Sequence, residues 1–294
     1  MTTNFIPAAP LGAPTSVISV EAFSAEYRTR RGVVRALDRV SLEISAGERL
    51  AIVGESGSGK STLSQALGRL LPRACRIVGG SITVLGRELD SLSPREVREL
   101  RRDALGFVPQ DPIAALNPTA RIGRQLALAL SPLGKPTDRA SLVSLLTEVK
   151  IADPERALGL FPHEMSGGMA QRVSIAMAMA REPRIIIADE PTGSLDAQVR
   201  EEILDLIVRL TEASGASLIW VSHDLSAVRR WCDRVVVMHQ GRIVEDGATT
   251  RVFTHPEHEY TRSLLAALPE AAAMDGASVQ ALKKSAAAGG TEIV

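Results

Sequence analysis

The segment at residues 54–61 has the residue types and spacing that suit binding of a phosphate chain. It reads G-x-x-x-x-G-K-S. Glycines allow backbone N–H groups to turn toward an anion, and the N-terminus of a following helix adds free donors and the positive end of a dipole. In such a loop Lys60 reaches the β- and γ-phosphates, and the Ser61 hydroxyl binds Mg²⁺. The segment therefore predicts a triphosphate site; the alternative is a flexible Gly/Ser-rich turn before an ordinary helix.

Two carboxylates, Asp189 and Glu190, come directly after the apolar run at residues 185–188. The carboxyl end of a buried parallel strand lies beside the ligand site in open α/β sheets, so both side chains are expected near the phosphate loop. Asp189 is then placed to hold Mg²⁺ through water, and Glu190 to polarise the water that attacks the γ-phosphate. Taken alone, an Asp-Glu pair can also cap the following turn.

A second candidate anion site is the run Ser166, Gly167 and Gly168, which precedes residues of helical composition at 169–181. A serine hydroxyl, two flexible N–H groups and a helix dipole can together bind a phosphate. On its own the run fits a plain turn equally well. Its position before the Asp-Glu strand, with Gln171 and Arg172 following, favours the phosphate interpretation.

The elements that must position these residues alternate between strands and helices. An apolar run at 50–53 predicts a strand before the phosphate loop, and residues 62–71 predict a helix after it. Ser93, Pro94 and Glu96 predict a capped helix start. Further strands are predicted at 17–20, 40–44, 81–85, 184–188 and 217–221, a helix at 198–212, and a hairpin joining 235–238 to 242–244. This alternation indicates an α/β fold with a parallel core.

The composition excludes several classes of protein. Basic and acidic residues number 34 each, and this balance disfavours a nucleic-acid binder that works by neutralising phosphates. Cys75 and Cys232 lie too far apart in sequence for a metal-type pair, which fits a reduced compartment. No apolar run is long enough to cross a bilayer, and the N-terminus lacks the pattern of a secretory signal. Residues 1–16 and 269–294 are expected to be disordered.

In this order the motifs resemble the nucleotide-binding subunit of an ABC (ATP-binding cassette) transporter, over roughly residues 17–268. The resemblance rests on the phosphate loop at 54–61, a glutamine loop at 108–112, a signature at 165–169, the strand and carboxylates at 185–190, a D-loop at 193–196 and the switch histidine His223. The chain departs from the common pattern at Met169, where Gln is usual, and at Gly193 and Ser194, where Ser-Ala is usual. The serine and glycines that face phosphate are kept, so ATP hydrolysis is still expected.

The resemblance implies a fold and a set of site residues. The fold is a P-loop NTPase core with an antiparallel β subdomain and an inserted α-helical subdomain at roughly residues 112–182. Catalytic roles fall to Glu190, His223 and Gln110, and Mg²⁺ ligation to Ser61, Gln110 and Asp189. Nucleotide contacts are implied for Tyr27, Gly54, Glu55, Ser56, Gly57, Ser58, Gly59, Lys60, Ser61, Thr62, Ser166, Gly167, Gly168 and Asp196. Tyr27, placed upstream of the first strand pair, would stack on adenine, although a packing role is the alternative.

Two segments resemble importers of peptides, opines and nickel: residues 110–118, and residues 255–265 within a C-terminal family segment at roughly 252–268. Residues 165–169 also resemble the corresponding segment of nickel or metallophore importers, but one methionine does not determine the solute. Some members of this group carry a cysteine cluster, but no cysteine follows Cys232, so no iron–sulfur centre is expected. His255 and His258 lack a nearby third ligand, so an ordinary structural role is favoured over a metal pair.

The resemblance also implies partners and a location. These are a second ATPase subunit, identical or paralogous, in a head-to-tail dimer, two membrane permease subunits, and through them an extracytoplasmic solute-binding protein. The location would be the cytoplasmic face of the inner membrane, with no nucleic-acid partner. Two alternatives stay open: a soluble ABC-type ATPase acting in DNA repair or on the ribosome, and a cassette that binds nucleotide without hydrolysing it.

Overall fold

The computed structural model describes residues 16–30, 32–193 and 195–267, so the predictions for residues 1–15 and 268–294 lie outside the described part of the chain. The strands are β1 (Ser16–Thr29), β2 (Gly32–Ser45), β3 (Arg49–Val53), β4 (Cys75–Val84), β5 (Arg87–Glu88), β6 (Leu105–Val108), β7 (Ile185–Asp189), β8 (Ser217–Val221), β9 (Arg234–His239) and β10 (Arg242–Ala248). The helices are α1 (Lys60–Leu67), α2 (Pro94–Asp103), α3 (Pro112–Ala115), α4 (Ile122–Leu130), α5 (Arg139–Glu148), α6 (Pro154–Ala157), α7 (Gly167–Met179), α8 (Ala197–Ser214), α9 (Leu225–Trp231), α10 (Thr249–Thr254) and α11 (Glu259–Ala266).

A six-stranded sheet in the order β10-β9-β3-β8-β7-β6 forms the centre of the described structure. Its pairs from β9 to β6 are parallel, and β10 adds an antiparallel edge strand through the predicted hairpin. All five residues of β8 are buried, as are four of the five in β7. Strands that are covered on both faces have continuous apolar sequences, and such apolar runs predicted β7 and β8.

Alternate residues of the central strands face two different cores. Ile186 and Leu218 pack on the side of the helical segment, while Ile187 and Ile219 pack against the antiparallel sheet. This division follows from the two-residue repeat of a strand, which sends successive side chains to opposite faces. The central sheet is thus held between two layers, and its strand ends are fixed in position.

The antiparallel sheet has the order β2-β1-β4-β5. Its first two strands have 14 residues each, so the short strands predicted at 17–20 and 40–44 were wrong in length. The ladder continues beyond the apolar runs through register shifts, for instance between Val20 and Phe23. Because β1 pairs with β2 on one edge and β4 on the other, backbone hydrogen bonds maintain the strand where side-chain alternation fails.

Helices α3 to α7 occupy residues 112–179, in agreement with the helical composition of that region.

Helix α2 begins with the predicted capping box: Ser93 Oγ accepts from the Glu96 N–H at 3.3 Å, and the Ser93 N–H donates to the Glu96 carboxylate at 2.8 Å. Among the residues that the structure describes, no helix combines the length and apolarity that a membrane crossing requires.

Candidate functional site

The phosphate loop joins β3 to α1, and its two motif glycines are required by close backbone contacts. Gly54 has φ +145°, and a Cβ there would lie 2.2 Å from the carbonyl oxygen of Met238. Gly59 has φ +105°, and its Cβ would lie 2.6 Å from the Ala36 carbonyl oxygen. Any larger residue would displace the neighbouring backbone, so the loop keeps its curvature only with glycine at both positions.

Lys60 lies across this loop and is buried. Its Nζ donates to the carbonyl oxygens of Gly54 at 2.7 Å and Glu55 at 2.8 Å. Burial lowers the pKa of the Lys60 ammonium, while the nearby carboxylates of Glu190 and Asp189 act in the opposite direction. The loop therefore combines backbone donors with one cation close to two acidic groups.

Asp189, the last residue of β7, is bound by two hydroxyl groups of α1. Ser61 Oγ donates to Oδ1 at 3.3 Å and Ser64 Oγ to Oδ2 at 3.1 Å. Burial raises the pKa of the Asp189 carboxyl, and these two hydrogen bonds oppose the rise. The sequence argument missed Ser64, although its spacing of three residues from Ser61 places both hydroxyls on one face of a helix.

Two of the three residues predicted to be catalytic, Gln110 and His223, lie beside the third, Glu190. The Gln110 amide donates to Glu190 Oε2 at 3.1 Å, and His223 Nδ1 lies 3.4 Å from the same oxygen. The sheet order explains this convergence, because Gln110 follows β6, Glu190 follows β7 and His223 follows β8, which are adjacent parallel strands. Glu190 also has φ +44°, a left-handed conformation that is costly for a residue with a Cβ.

The run Ser166 to Gly168 has different surroundings. Ser166 Oγ accepts from the Met169 N–H at 3.3 Å and so caps α7. A Cβ on Gly168 would lie 3.0 Å from Val199, so this helix start packs closely against α8, which Asp196 caps. Within the described ranges, no hydrogen bond or ion pair joins Ser166 or its two glycines to the phosphate loop or to Glu190. Ser194 of the D-loop lies outside those ranges.

Tyr27 is not upstream of the first strand pair but inside β1, opposite Val34 of β2 and Cys75 of β4. The sequence prediction misplaced it because it ended β1 too early. The residue is half-buried at this position. No contact among the described residues brings Tyr27 to the phosphate loop, so the adenine-stacking role remains a prediction.

The remaining loop residues divide into an exposed and a buried group. Glu55, Ser56 and Gly57 are exposed, and Ser58 is buried with its hydroxyl unpartnered. Thr62 lies half-buried in the first turn of α1.

Of the two C-terminal histidines, His255 and His258, the second accepts a hydrogen bond from the Tyr260 N–H at 3.1 Å and caps α11. This contact agrees with the structural role predicted for it.

Comparison with known proteins agrees with this geometry. Residues 37–193 match the family described as ABC transporter. A probable peptide ABC transporter ATP-binding protein of Sinorhizobium fredii is 42% identical, over 86% of this chain and 77% of the relative. The oligopeptide transport ATP-binding protein OppD of Bacillus subtilis is 41% identical, over 87% of this chain and 72% of the relative.

Among solved structures, the dimeric post-hydrolysis state of the ATP-binding cassette MJ0796, bound to ADP and Pi, superposes with a TM-score of 0.70. It is 28% identical and covers 79% of this chain and 98% of that structure. The predicted fold class is confirmed, and the relatives agree with the transporter interpretation rather than with a soluble ATPase acting on DNA or the ribosome. The chain belongs to the ABC transporter family, as an ATP-binding subunit that hydrolyses ATP.

Proposed function

We propose that this subunit powers the import of peptides or of a related small solute such as a metallophore, with Glu190 as the residue that activates water. The observation that carries the assignment is the arrangement around Glu190 Oε2, where Gln110 and His223 meet one carboxylate beside the Asp189–Ser61 contact. The solute class is suggested by the similar proteins, which are named for peptide and oligopeptide transport.

The residues of the site have separate tasks in the proposed reaction. Lys60 and the N–H groups at the start of α1 bind the β- and γ-phosphates and hold the γ-phosphorus in line with the attacking water. Glu190 accepts a hydrogen bond from that water and takes its proton as the water oxygen attacks the γ-phosphorus; the bond from that phosphorus to the bridging oxygen breaks, and ADP and phosphate are released. Gln110 and His223 orient the Glu190 carboxylate, so the base is in position before the nucleotide binds.

The residues present fit a Mg²⁺ ion. Ser61, Asp189 and the Gln110 amide offer hard oxygen atoms, the ligand type that Mg²⁺ prefers, and a single carboxylate leaves positions for water and phosphate oxygens. Bound there, the ion would neutralise charge on the β- and γ-phosphates. Ser64 holds the second oxygen of Asp189, so the carboxylate keeps its orientation.

Ser166, Gly167 and Gly168 are proposed to bind the γ-phosphate of a nucleotide held by another subunit. They form an anion-binding helix start that is tied to α8 rather than to the catalytic cluster of their own chain. Two subunits placed head to tail would each complete the other's site. ATP would then favour the closed pair through contacts that hydrolysis removes, which is how a ligand shifts a two-state equilibrium.

Two permease subunits, and through them an extracytoplasmic solute-binding protein, complete the proposed assembly at the cytoplasmic face of the inner membrane. Gln110 connects hydrolysis to the permeases, because it contacts Glu190 and lies two residues before α3, the first helix of the helical segment. Movement of that segment against the central sheet would carry the state of the nucleotide to the permeases.

Reconstitution tests the proposed function. The subunit is co-expressed with candidate permease subunits and a candidate solute-binding protein from the same organism and placed in proteoliposomes. We expect phosphate release that rises when a peptide mixture is supplied on the binding-protein side, together with peptide uptake. Stimulation by nickel or a metallophore and not by peptides would change the proposed solute from a peptide to the metal or its chelate. Full activity without any membrane partner, and no co-purification with one, would contradict the transport role.

A further inference from the structure

Tyr260 of α11 contacts the backbone of the phosphate loop. Its hydroxyl oxygen accepts a hydrogen bond from the Glu55 N–H at 2.8 Å. Glu55 is the second residue of the loop motif, and Tyr260 follows it by 205 positions in the chain. A burial effect raises the pKa of the Tyr260 phenol, so the group is a neutral hydroxyl near neutral pH. The contact is therefore an ordinary hydrogen bond between the C-terminal helix and the loop.

The β9–β10 hairpin contacts the same loop from its other end. The Gly241 N–H donates to the carbonyl oxygen of Ser58 at 3.0 Å. The hairpin also supports Tyr260, because its ring lies 4.0 Å from that of His239, centroid to centroid, at an angle of 31°. Glu55 and Ser58 bracket the exposed part of the loop, so one C-terminal unit holds the backbone on both sides of it.

Glu245 of β10 fixes the start of α11. Its buried carboxylate accepts from the Glu257 N–H at 2.9 Å and from the His258 N–H at 3.1 Å. Burial acts to raise the pKa of this carboxyl, but the pKa is lowered overall, and the Glu257 and His258 N–H groups and the nearby Arg251 charge act in that direction. Hydrogen bonds to an ionised carboxylate are among the strong ones, so the turn before α11 is held firmly and Tyr260 with it.

We propose that Tyr260 is a positioning residue that holds the phosphate loop in its nucleotide-binding conformation, with Glu245 keeping Tyr260 in place. The proposal rests on the role of the loop as the nucleotide site. Ligand affinity falls in proportion to the fraction of molecules in the binding-competent conformation. Tyr260 acts on that fraction through the backbone N–H of Glu55.

Tyr260→Phe tests the proposal, because it removes the hydroxyl and keeps the ring that packs on His239. We expect ATP to bind about two- to tenfold more weakly in calorimetry, the range that loss of one hydrogen bond gives. The ATPase KM should rise by the same factor, while kcat at saturating ATP stays within about twofold. Ser263→Ala is the matched control, since it deletes a hydroxyl of the same helix that donates to the Glu259 carbonyl oxygen of that helix.

Hydrogen exchange gives a readout that a general loss of stability would not produce. In Tyr260→Phe, exchange should accelerate at residues 55–58 and stay unchanged in β1 and β2, with the melting temperature preserved. Wild-type exchange at residues 55–58 together with wild-type ATP affinity would overturn the proposal.

Lys60→Ala serves as the reference for the loop itself. If Lys60→Ala loses ATP affinity while Tyr260→Phe binds like the wild type, the positioning role fails and the nucleotide site stands. If Lys60→Ala binds ATP normally, the assignment of the loop fails first.

Discussion

The cluster around Glu190 and the helix start at Ser166 use similar chemistry in different surroundings. The first gathers residues from the ends of β6, β7 and β8, with Gln110 and His223 both within hydrogen-bonding reach of Glu190 Oε2. The second has a capping serine and two glycines, yet its contacts in the described structure go to α7 and α8. Among the described residues, the first region is assembled by contacts between different strand ends, and the second bonds within its own helix and packs on α8.

This difference suggests how one fold couples hydrolysis to movement. A cluster assembled from adjacent strand ends is rigid, because each strand is hydrogen-bonded to its neighbours and buried on both faces. In the proposed head-to-tail pair, the helix start at Ser166 would make its contact only when the subunits approach. Chemistry and association would then belong to separate regions, and substitutions should separate their effects.

The largest expected effect is on the cluster itself. Glu190→Gln keeps the shape of the side chain and removes the proton acceptor, so turnover should fall by about 10²–10⁴-fold. ATP binding should persist, and the closed pair of subunits should accumulate. Phosphate release and size-exclusion chromatography with ATP measure the two properties. Turnover close to that of the wild type would remove Glu190 from its role.

Ser166→Arg changes the second region, the helix start at Ser166. It places a long side chain where another subunit's nucleotide is expected, so turnover should fall by roughly 10²-fold, as when one donor to a transition-state oxyanion is lost. ATP binding to the isolated chain should stay largely intact in calorimetry. Ser91→Arg, at an exposed serine, is the control for the added charge and bulk. Loss of ATP binding in Ser166→Arg would mean that Ser166 serves its own chain's site.

Lys60→Ala tests whether the phosphate loop itself binds the nucleotide. It removes a charged donor from the phosphates, and ATP affinity should fall by about ten- to hundredfold. Lys150→Ala is a suitable control, because Lys150 is an exposed lysine with an ion pair to Asp205 at 3.7 Å. Isothermal titration of both variants with ATP and Mg²⁺ measures the difference. Equal affinities would contradict the phosphate contact.

A smaller effect is expected from His223→Ala, because His223 acts through Glu190. We expect turnover to fall about tenfold, with His255→Ala as an exposed histidine control. In a Glu190→Gln background the added His223→Ala substitution should lower turnover no further, since residues that act as a unit are not additive. Multiplied effects in the double variant would show that His223 acts independently of Glu190.

Sequence patterns predicted the parts of this structure that depend on local chemistry. The buried strands β7 and β8, the β9–β10 hairpin and the capping box at Ser93 each follow from a short run of residue types. The family resemblance assigned catalytic roles to Gln110, Glu190 and His223, and the order of the strands, which the sequence did not predict, brings Gln110 and His223 to Glu190.

What the sequence did not reveal depends on tertiary contacts. The full length of β1 comes from pairing on both edges, and the Tyr260 contact joins segments at opposite ends of the chain. The left-handed backbone of Glu190 has no signal in residue type, since glutamate normally avoids that conformation. Ser64 was within reach of a helical-spacing argument that was applied only to Ser61.

The central claim is that two subunits share each nucleotide, and a structure of the Glu190→Gln subunit with ATP and Mg²⁺, in its assembly with its natural partner subunit, tests it most directly. We predict that the Ser166 hydroxyl of one subunit lies within hydrogen-bonding distance of a γ-phosphate oxygen on a nucleotide held by the lysine of the other subunit's phosphate loop. A structure in which Ser166 contacts the nucleotide bound by its own Lys60, or in which the closed assembly leaves Ser166 remote from every nucleotide, would contradict the account.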